Sequence, residues 1–575
     1  MKNRLSQIGL CLLILLGLSN CKEKAKEEKP ADLVIKNASI YTVDATRSWA
    51  QALAVLDGSL VYVGTDIGAD AFVGSRTRMI DLGGRFLLPG FHDSHMHPVE
   101  AGIQQLQCDL NNAKNVNEIL DRIESYVKAN PDRPWVLGRG WDQTFFPEAN
   151  PQKSMLDSIV NNRPALFSDR GGHDIWINSR ALEIAKITSQ TLDPKGGKIE
   201  RDTETGEPTG TLREKAASNF IEQIIPKPTN QENRDALVAA IKEANSYGII
   251  SFQDAKAKQE YIQAYLDVER QGDLTVRVRL AQEFVADKDE EEQIRKFLEI
   301  RRTCNSKHLD VGSVKLFIDG VFFNRTAALI EPYVGISPSD QNAYGMLHFD
   351  AEHLNLLVKK LDSEGFQVHM HAIGGRAIRM GLDAVEYAHH TIGVHDSRHH
   401  IAHLHMIHPT DVPRFRQLGV VAIFQPFWAD TDDYNIKMIK SFVGPERFKR
   451  LHSFRSLMDS GAIVAAGSDW PVTSVKPLDA IEVAVTRRIL GKKNGPALNF
   501  EQSVDLARII AAYTIAGAYV NFEEKDSGSI EVGKWADFIV LDKNIFDIPS
   551  YEIHTTKVLW TVLEGREVFR AENWN

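Results

Sequence analysis

The sequence predicts an α/β protein: a (β/α)₈ TIM barrel, a small β-sandwich domain built from both termini, and a large insertion after the first barrel strand. Three observations support this prediction. Short apolar strands alternate with helical stretches through the middle of the chain, both ends are rich in strands, and about 150 residues separate the first two barrel strands. With 575 residues, the chain is long enough to fold into all of these parts.

The barrel is predicted from eight apolar segments, each followed by a stretch that is long enough for a helix. These segments are 86–91, 248–252, 276–281, 313–318, 367–370, 401–404, 420–424 and 463–466. We expect the barrel to span residues 89–522. The gap after the first segment has strand and helix patterns of its own, so we interpret residues from about 100 to 245 as an insertion over the barrel mouth.

Residues 31–88 and 523–575 are predicted to form one composite β-sandwich. Both segments consist of short runs rich in β-branched and aromatic residues. Asp57-Gly58 lies between two of these runs and is a typical hairpin turn.

The first thirty residues have the pattern of an export signal followed by a tether. An apolar run over 8–18 follows Lys2 and Arg4, and a helix of that length is too short to cross roughly 30 Å of hydrocarbon. The run ends in Leu-Ser-Asn-Cys at 18–21, which resembles a bacterial lipobox. We therefore expect a signal peptide over 1–20, lipidation of Cys21, a charged tether over 21–30, and anchorage to the periplasmic or outer face of a bacterial membrane. The alternative is an ordinary cleaved signal with a chance cysteine.

Composition excludes several classes of protein. A hydrophobic fraction of 43% and a charged fraction of 25% are ordinary for a globular protein and exclude disorder along the whole chain. The net charge of -10 gives no basic face for nucleic acid. Four cysteines are too few for a disulfide scaffold, and we interpret Cys108 and Cys304 as small buried hydrophobes. The oligomeric state stays open.

The sharpest chemical motif is His95-Met96-His97, which follows the first predicted strand. Residues two apart on a strand point to the same face, so both imidazoles are expected to converge. Two neutral imidazoles on one strand are a natural start to a zinc site, and barrel active sites lie at the carboxyl ends of the strands. A lone His-x-His pattern would be a weak signal.

Four more side chains suited to a metal occur at the ends of later predicted strands. They are Lys315, His371, His403 and Asp469. A lysine inside an apolar strand is costly unless it is paired or chemically modified. Candidate ligands at the ends of five different strands are hard to explain as coincidence, so the sequence predicts a metal centre at this end of the barrel.

The chain resembles the metal-dependent amidohydrolase superfamily, and within it the exoenzyme-like branch that includes N-substituted formamide deformylase. The resemblance runs from about residue 31 to about residue 570, and motifs spread along the chain carry it. These motifs include Pro89-Gly90-Phe91, His95-Met96-His97, Gly138-Arg139-Gly140-Trp141-Asp142, Gly172-His173, Lys315 with Asp319-Gly320, Gly467-Ser468-Asp469-Trp470-Pro471 and the closing stretch 528–537.

This resemblance implies the roles of the candidate ligands. His95, His97, His371 and His403 would bind a divalent metal, most often zinc, as one or two ions. Lys315 would be carboxylated on its ε-amine and would bridge two metals. Asp469 would bind metal and act as the general base. A bound divalent ion lowers the pKa of its water toward about 7 and makes hydroxide available at neutral pH.

Two positions depart from the family pattern. Gly375 stands where the family usually has an aspartate after the strand-five histidine, and Ala402 stands where it usually has a glutamate before the strand-six histidine. Such carboxylates could orient the imidazoles, so their absence bears on catalytic strength and metal number.

Four further residues are candidates for contact with the substrate. The family places a histidine near the substrate at the position of His173, so a carbonyl-polarising catalytic role and a structural hydrogen-bonded role both stay open. Trp141 and Asp142 are candidates for the mouth of the site, with core packing as an equal alternative for Trp141. Arg325 is a candidate for holding a substrate carboxylate, with a structural ion pair as the alternative.

The sequence thus predicts a metal-dependent amidohydrolase that cleaves a non-peptide C–N bond, an amide or formamide, in a small molecule. One alternative is a lipid-anchored binding protein that has kept the barrel and lost turnover. Another is different chemistry at the same metal centre, such as cyclic-amide cleavage, ester cleavage or isomerisation. A His95→Ala variant separates enzyme from binder, because an enzyme loses activity whereas a binder has affinity and no turnover.

Overall fold

The computed structural model describes residues 29–111, 113–169, 174–194, 197–214, 219–221, 223–304, 306–322, 325–572 and 574. The predicted signal peptide, the lipidation site Cys21 and the candidate catalytic residue His173 lie outside the described residues. In the part of the chain that is described, no helix has the length and apolar character needed to cross a bilayer.

Strands from both ends of the chain form two sheets. They are β1 (Leu33–Lys36), β2 (Ser39–Tyr41), β3 (Trp49–Ala50), β4 (Ala52–Leu56), β5 (Ser59–Gly64), β6 (Arg78–Asp81), β7 (Phe86–Pro89), β22 (Phe538–Leu541), β23 (Val558–Leu563) and β24 (Arg566–Arg570). One sheet has the order β5-β4-β1-β6, and the other has the order β24-β23-β22-β7-β2-β3. Leu53, Leu87 and Phe538 belong to a single apolar core that both sheets share.

An eight-stranded sheet forms the centre of the fold. Its strands are β8 (Phe91–Met96), β15 (Ile249–Ala257), β16 (Arg277–Glu283), β17 (Leu309–Phe317), β18 (Gln367–Ala372), β19 (His400–His403), β20 (Val421–Phe424) and β21 (Val464–Ala466). Neighbouring strands pair in parallel from β8 through β15 to β21. The ends of β8 and β21 are joined where the Asp469 amide donates to the His95 carbonyl and the His97 amide donates to the Trp470 carbonyl, each at 2.7 Å. The predicted (β/α)₈ fold class is confirmed.

The first barrel strand begins later than the sequence suggested. The predicted segment 86–91 contains two strands, because β7 pairs with β22 of the sandwich and only β8 enters the barrel. Gly90 separates them, and a Cβ at this position would lie 2.6 Å from the Ile250 side chain. Only glycine permits this close approach. His95 therefore lies inside the first barrel strand, and His97 lies one residue beyond its end.

The insertion after the first barrel strand has a sheet and apolar cores of its own. Its strands are β9 (Cys108–Asp109), β10 (Val136–Trp141), β11 (Ala165–Asp169), β12 (Ile175–Ile177), β13 (Lys198–Arg201) and β14 (Pro208–Arg213). They follow the order β13-β14-β12-β11-β10-β9. Phe167 and Trp176 are buried in one of its cores, and Leu166 and Ile177 lie in the other.

Helices connect the barrel strands and surround them. The α-helices are Asp66–Ala69, Pro98–Gln105, Val116–Ala129, Lys153–Asp157, Ser179–Ala185, Asn230–Ser246, Gln259–Arg270, Glu290–Cys304, Ala351–Ser363, Gly375–Ile392, Val412–Gln417, Lys440–Phe448, Phe454–Asp459, Pro477–Thr486, Leu506–Ala512 and Ile515–Val520. Short 3₁₀ turns and one π-helical turn occupy Asp70–Phe72, Gln143–Phe145, Pro147–Ala149, Pro426–Trp428, Tyr434–Ile439, Phe500–Gln502 and Ser550–Thr555. The helix Asn230–Ser246, which leads into β15, starts with a capping box between Thr229 and Glu232.

Side-chain alternation on β17 and β18 directs polar groups into the barrel. Leu316 and Met370 belong to the main apolar core. The residues that precede them on each strand, Lys315 and His369, are direct neighbours across the two strands. His371 follows His369 by two positions and therefore shares its face. The alternation thus gives the barrel interior a lysine and two histidines, all of them buried.

Candidate metal centre

A cavity of about 540 Å³ lies where the barrel strands end. Its lining includes all six residues that the sequence predicted as metal ligands: His95, His97, Lys315, His371, His403 and Asp469. These side chains come from five strand ends that are far apart in sequence. The barrel therefore brings the predicted set together in one place.

Three of the six form a tight cluster. Potential ligand atoms of His95, His403 and Asp469 all lie within 4.8 Å of one another, and all three residues are buried. Asp469 Oδ1 also lies 3.0 Å from His97 Nε2 and 3.3 Å from His95 Nε2. The His371 ring adjoins this cluster, with its centroid 4.5 Å from that of His403.

Hydrogen bonds orient two of these imidazoles. His95 Nδ1 lies 2.8 Å from His369 Nε2, and His403 Nδ1 lies 2.9 Å from Gln425 Oε1. An amide oxygen can only accept, so His403 Nδ1 carries the proton and Nε2 keeps its lone pair. Such partners fix the tautomer and ring orientation of histidines that bind metals. The sequence motifs did not predict these roles for His369 and Gln425.

A carboxylate also lies beside His371. Asp319 Oδ1 lies 3.2 Å from His371 Nδ1. The Asp319 carboxylate also accepts hydrogen bonds from the backbone amides of Ala328, Ile373 and Gly374. Three backbone donors hold this group in place, so its position beside the imidazole is well determined.

The two departures from the family pattern have local explanations. A Cβ at Gly375 would lie 2.8 Å from the Met406 carbonyl oxygen, so a side chain there would require the backbone to shift. Ala402 belongs to an apolar cluster with Val421 and Val520, because strand alternation turns it away from the face that carries His403. In spite of these departures, His403 has Gln425 as a hydrogen-bond partner and His371 has the Asp319 carboxylate as a neighbour.

Burial sets the protonation states of the centre. It lowers the pKa of His95 to about 3, with the Lys315 charge adding to the effect, and it holds the pKa of His403 well below its usual value. Burial alone would raise the pKa of Asp469, but the neighbouring His95 and His97 outweigh it and keep the pKa well below the usual range. At neutral pH the cluster therefore offers neutral imidazole nitrogen and anionic oxygen, the forms that bind a cation.

Lys315 is fully buried, and no described residue accepts a hydrogen bond from its Nζ. Burial lowers the pKa of this amine to about 7, and the charge of Asp469 opposes the shift. His95 Nε2 is likewise buried, and its neighbour Asp469 Oδ1, at 3.3 Å, is not aligned for a hydrogen bond with it. Orphaned polar atoms of this kind, facing one cavity, fit a divalent cation that would complete their coordination.

Two residues of the cluster have unusual backbone angles. His403 has φ of 80° and Asp469 has φ of 56°. Left-handed conformations cost residues other than glycine about 1–3 kcal/mol and concentrate at functional sites. Both residues end a barrel strand or follow it closely, so the strain accompanies the turn that brings their side chains to the cavity.

The predicted substrate-contacting residues lie elsewhere. Trp141 is fully buried in a core of the insertion and donates its indole N–H to the Phe167 carbonyl at 2.8 Å, which corresponds to the core-packing alternative. Asp142 accepts hydrogen bonds from Thr144 at the start of a 3₁₀ turn. Arg325 stacks on the Phe442 ring and lines a separate cavity. In the described part of the chain, none of the three lines the cavity of the metal centre.

Removal of the Gln425 amide is expected to weaken metal binding. A Gln425→Leu variant leaves His403 Nδ1 without its acceptor, so the ring can turn and present the wrong nitrogen. Loss of such a partner typically lowers metal affinity about 10–100-fold. Zinc titration in competition with a chelator measures this affinity. The exposed Gln231 provides the matched control, since Gln231→Leu should bind as the parent does; equal affinity in both variants would contradict the role given to Gln425.

A TIM barrel with histidine and aspartate side chains clustered at its strand ends is typical of metal-dependent hydrolases. The profile described as "Amidohydrolase family" matches residues 78–569. The chain belongs to this family, as the sequence motifs indicated. It is accordingly a metal-dependent enzyme that hydrolyses C–N bonds, and its cofactor is a divalent metal.

Relatives match along almost the whole chain. Protein LONG AFTER FAR-RED 3 of Arabidopsis thaliana is 31% identical and covers 94% of this chain and 92% of its own. N-substituted formamide deformylase of Arthrobacter pascens is 26% identical and covers 93% of this chain and 97% of its own. An uncharacterized metal-dependent hydrolase from Pyrococcus furiosus aligns in structure with a TM-score of 0.73 and 25% identity, covering 89% of this chain and 99% of its own.

Proposed function

We propose that the enzyme hydrolyses a non-peptide C–N bond in an amide or formamide of a small molecule. The observation that carries this proposal is the ligand cluster of His95, His403 and Asp469 inside a cavity of about 540 Å³. A space of this volume suits a small organic molecule rather than a folded protein. The similarity to N-substituted formamide deformylase along most of both chains supports the same bond type.

We propose zinc as the metal, as one or two ions. His95, His97, His371, His403 and Asp469 would hold it, and nitrogen-rich ligation with one carboxylate suits zinc. When bound, such a cation lowers the pKa of water and polarises a substrate carbonyl.

Asp469 is the proposed general base. Its carboxylate is anionic at neutral pH and lies within 3.3 Å of two imidazole nitrogens, which supports a role beside a metal-bound water. It would take a proton from the attacking water and deliver it to the leaving nitrogen. Transfer of that proton makes the departing group an amine rather than an unstable amide anion.

Lys315 is proposed to carry a carboxylate on its ε-amine. Carboxylation requires a neutral amine, which attacks carbon dioxide and releases one proton. Burial of Lys315 without a hydrogen-bond partner among the described residues supports this modification, because the product replaces a costly buried ammonium with a group that a metal can bind. The modified lysine would bridge two ions.

A panel of substrates tests the proposed function. Protein stripped with chelator and reloaded with zinc or manganese is assayed against formamides, acetamides, cyclic amides and esters, and the released amine is quantified. We expect hydrolysis of at least one amide or formamide, and loss of that hydrolysis on removal of the metal. Affinity without turnover across the panel would favour a binding protein, and turnover of esters or cyclic amides alone would assign different chemistry.

We also propose that the enzyme is exported and anchored by lipid at Cys21. The lipobox-like segment 18–21 after an apolar run supports this proposal. Expressed in a bacterium, the parent should fractionate with membranes, and Cys21→Ala should move to the soluble fraction with activity retained. A Cys108→Ala variant is the control and should stay with the membranes. Retention of Cys21→Ala in the membrane fraction would refute the anchor.

A further inference from the structure

One wall of the catalytic cavity combines aromatic rings with carboxylates. Phe427, Trp428 and Tyr434 line it together with Asp430 and Asp432. All five belong to the stretch that follows β20. The proposed chemistry at the metal centre does not use any of them.

Asp430 is a buried carboxylate without an ion-pair partner in the described structure. It is only 8% exposed, yet it lines the cavity. Its Oδ1 accepts a hydrogen bond from the Asp432 amide at 2.9 Å, and no other contact of the carboxylate is present among the described residues. Arg487 is close enough to influence it, but that guanidinium donates to three backbone carbonyls instead. Burial raises the pKa of Asp430 to about 6, which leaves the group mostly ionised above pH 7.

Two of the other three carboxylates at the cavity have side-chain partners, whereas Asp432 accepts a hydrogen bond from the Asn435 amide and has no ion-pair partner among the described residues. Glu100 pairs with Lys256 at 3.0 Å and with Lys258 at 3.3 Å. Asp469 lies among the histidines of the metal centre. Asp430 therefore has no ion-pair partner within the described residues, and Arg487 acts on it only without direct contact. A buried anion is costly unless a cation or several donors stabilise it.

The wall is held firmly and adjoins the metal centre. The Asn435 side chain donates to the backbone carbonyls of Trp428 and Asp430 at 2.8 and 3.0 Å. The Trp428 ring stacks on His403, with 5.5 Å between centroids and 16° between planes. A molecule that fills this cavity with its carbonyl at the cluster would therefore also contact this wall.

A metal ion is a poor candidate for the partner of Asp430. The described residues place three potential ligands within 4.8 Å of one another only at His95, His403 and Asp469. An organic cation fits better, because an ammonium, amidinium or guanidinium group pairs with a carboxylate and also gains from neighbouring aromatic faces.

We propose that the substrate carries a positively charged organic group at the end remote from the scissile bond, and that Asp430 binds this group and determines specificity. Asp432 adds to the negative potential at the same wall. This proposal rests on the proposed function for the position of the scissile bond, whereas the recognition of a cation by Asp430 is testable without turnover.

Benzamidinium and benzamide provide matched probes, since they have nearly the same shape and differ in charge. Their dissociation constants are measured by calorimetry at pH 8 with zinc-loaded and with metal-free protein. We expect the parent to bind benzamidinium at least about 10-fold more tightly than benzamide. This ratio corresponds to a difference in binding free energy of about 1.4 kcal/mol, which a buried charge pair can supply. In Asp430→Asn this preference should fall below about 3-fold, and in Asp432→Asn it should fall by a smaller factor.

Asp433→Asn is the control, because Asp433 is exposed and pairs with Lys437 at the surface. It should keep the preference of the parent. Equal binding of both probes by the parent, or an unchanged preference in a folded Asp430→Asn variant, would overturn the proposal. Failure of the proposed function has a different signature: no amide is hydrolysed, while the preference for the cation and its loss in Asp430→Asn persist.

Discussion

Replacement of Asp469 by asparagine is expected to reduce kcat/KM for an amide substrate by about 10³–10⁴-fold. The variant keeps the shape of the side chain but cannot accept and return a proton, and general acid–base catalysis of this kind contributes about 10²–10⁴-fold. Loss of a negative ligand beside His95 and His97 removes further stabilisation of the cation. Steady-state kinetics on zinc-loaded protein measure the effect.

Two controls make this result specific to Asp469. Asp459 is a half-exposed surface aspartate that pairs with arginines, and Asp459→Asn should retain full activity. The zinc content of Asp469→Asn separates the two roles: a loaded but inactive variant indicates the base, whereas an empty one indicates the ligand. A reduction below about 10-fold in the zinc-loaded variant would contradict the assignment of Asp469 as the base.

The sequence predicted the barrel and the candidate ligands because both leave local patterns. Parallel barrel strands are short apolar runs, and polar residues that interrupt or end them, such as Lys315 and Asp469, stand out. The first strand was misplaced because 86–91 reads as one continuous apolar stretch. Only the pairing of β7 with the sandwich and the contact of Gly90 with Ile250 divide it.

The partners of the ligands were not predictable in the same way. Gln425 follows β20 and Asp319 follows β17, and neither forms a motif with the histidine that it contacts. Their roles depend on which strands become neighbours in the closed barrel. The position of His369 could in principle be predicted, because it precedes His371 by two residues on one strand and shares its face. Asp430 belongs to a loop, where sequence carries little information about direction.

The joint between barrel and sandwich depends on a buried arginine. Arg277 begins β16 and is 2% exposed. Its guanidinium lies 2.5 Å from Asp537 Oδ2 and 3.1 Å from Glu523 Oε2, and it donates to Ser527 Oγ at 3.0 Å. Burial opposes the charge, but Asp537 and Glu523 outweigh it and hold the pKa of Arg277 above its usual value. The charge is therefore present in the folded protein.

We expect Arg277→Met to lower the free energy of unfolding by about 3–5 kcal/mol, because it leaves buried carboxylates without their cation. Urea denaturation followed by circular dichroism at pH 7 measures this. Arg270→Met is the control: Arg270 pairs with Asp267 at the surface, and exposed pairs contribute about 0–1 kcal/mol. Addition of Asp537→Asn and Glu523→Gln to Arg277→Met should restore part of the stability, since the unpaired charges are then gone. A loss below about 1 kcal/mol in Arg277→Met, or no recovery in the triple variant, would show that the carboxylates tolerate burial without the arginine.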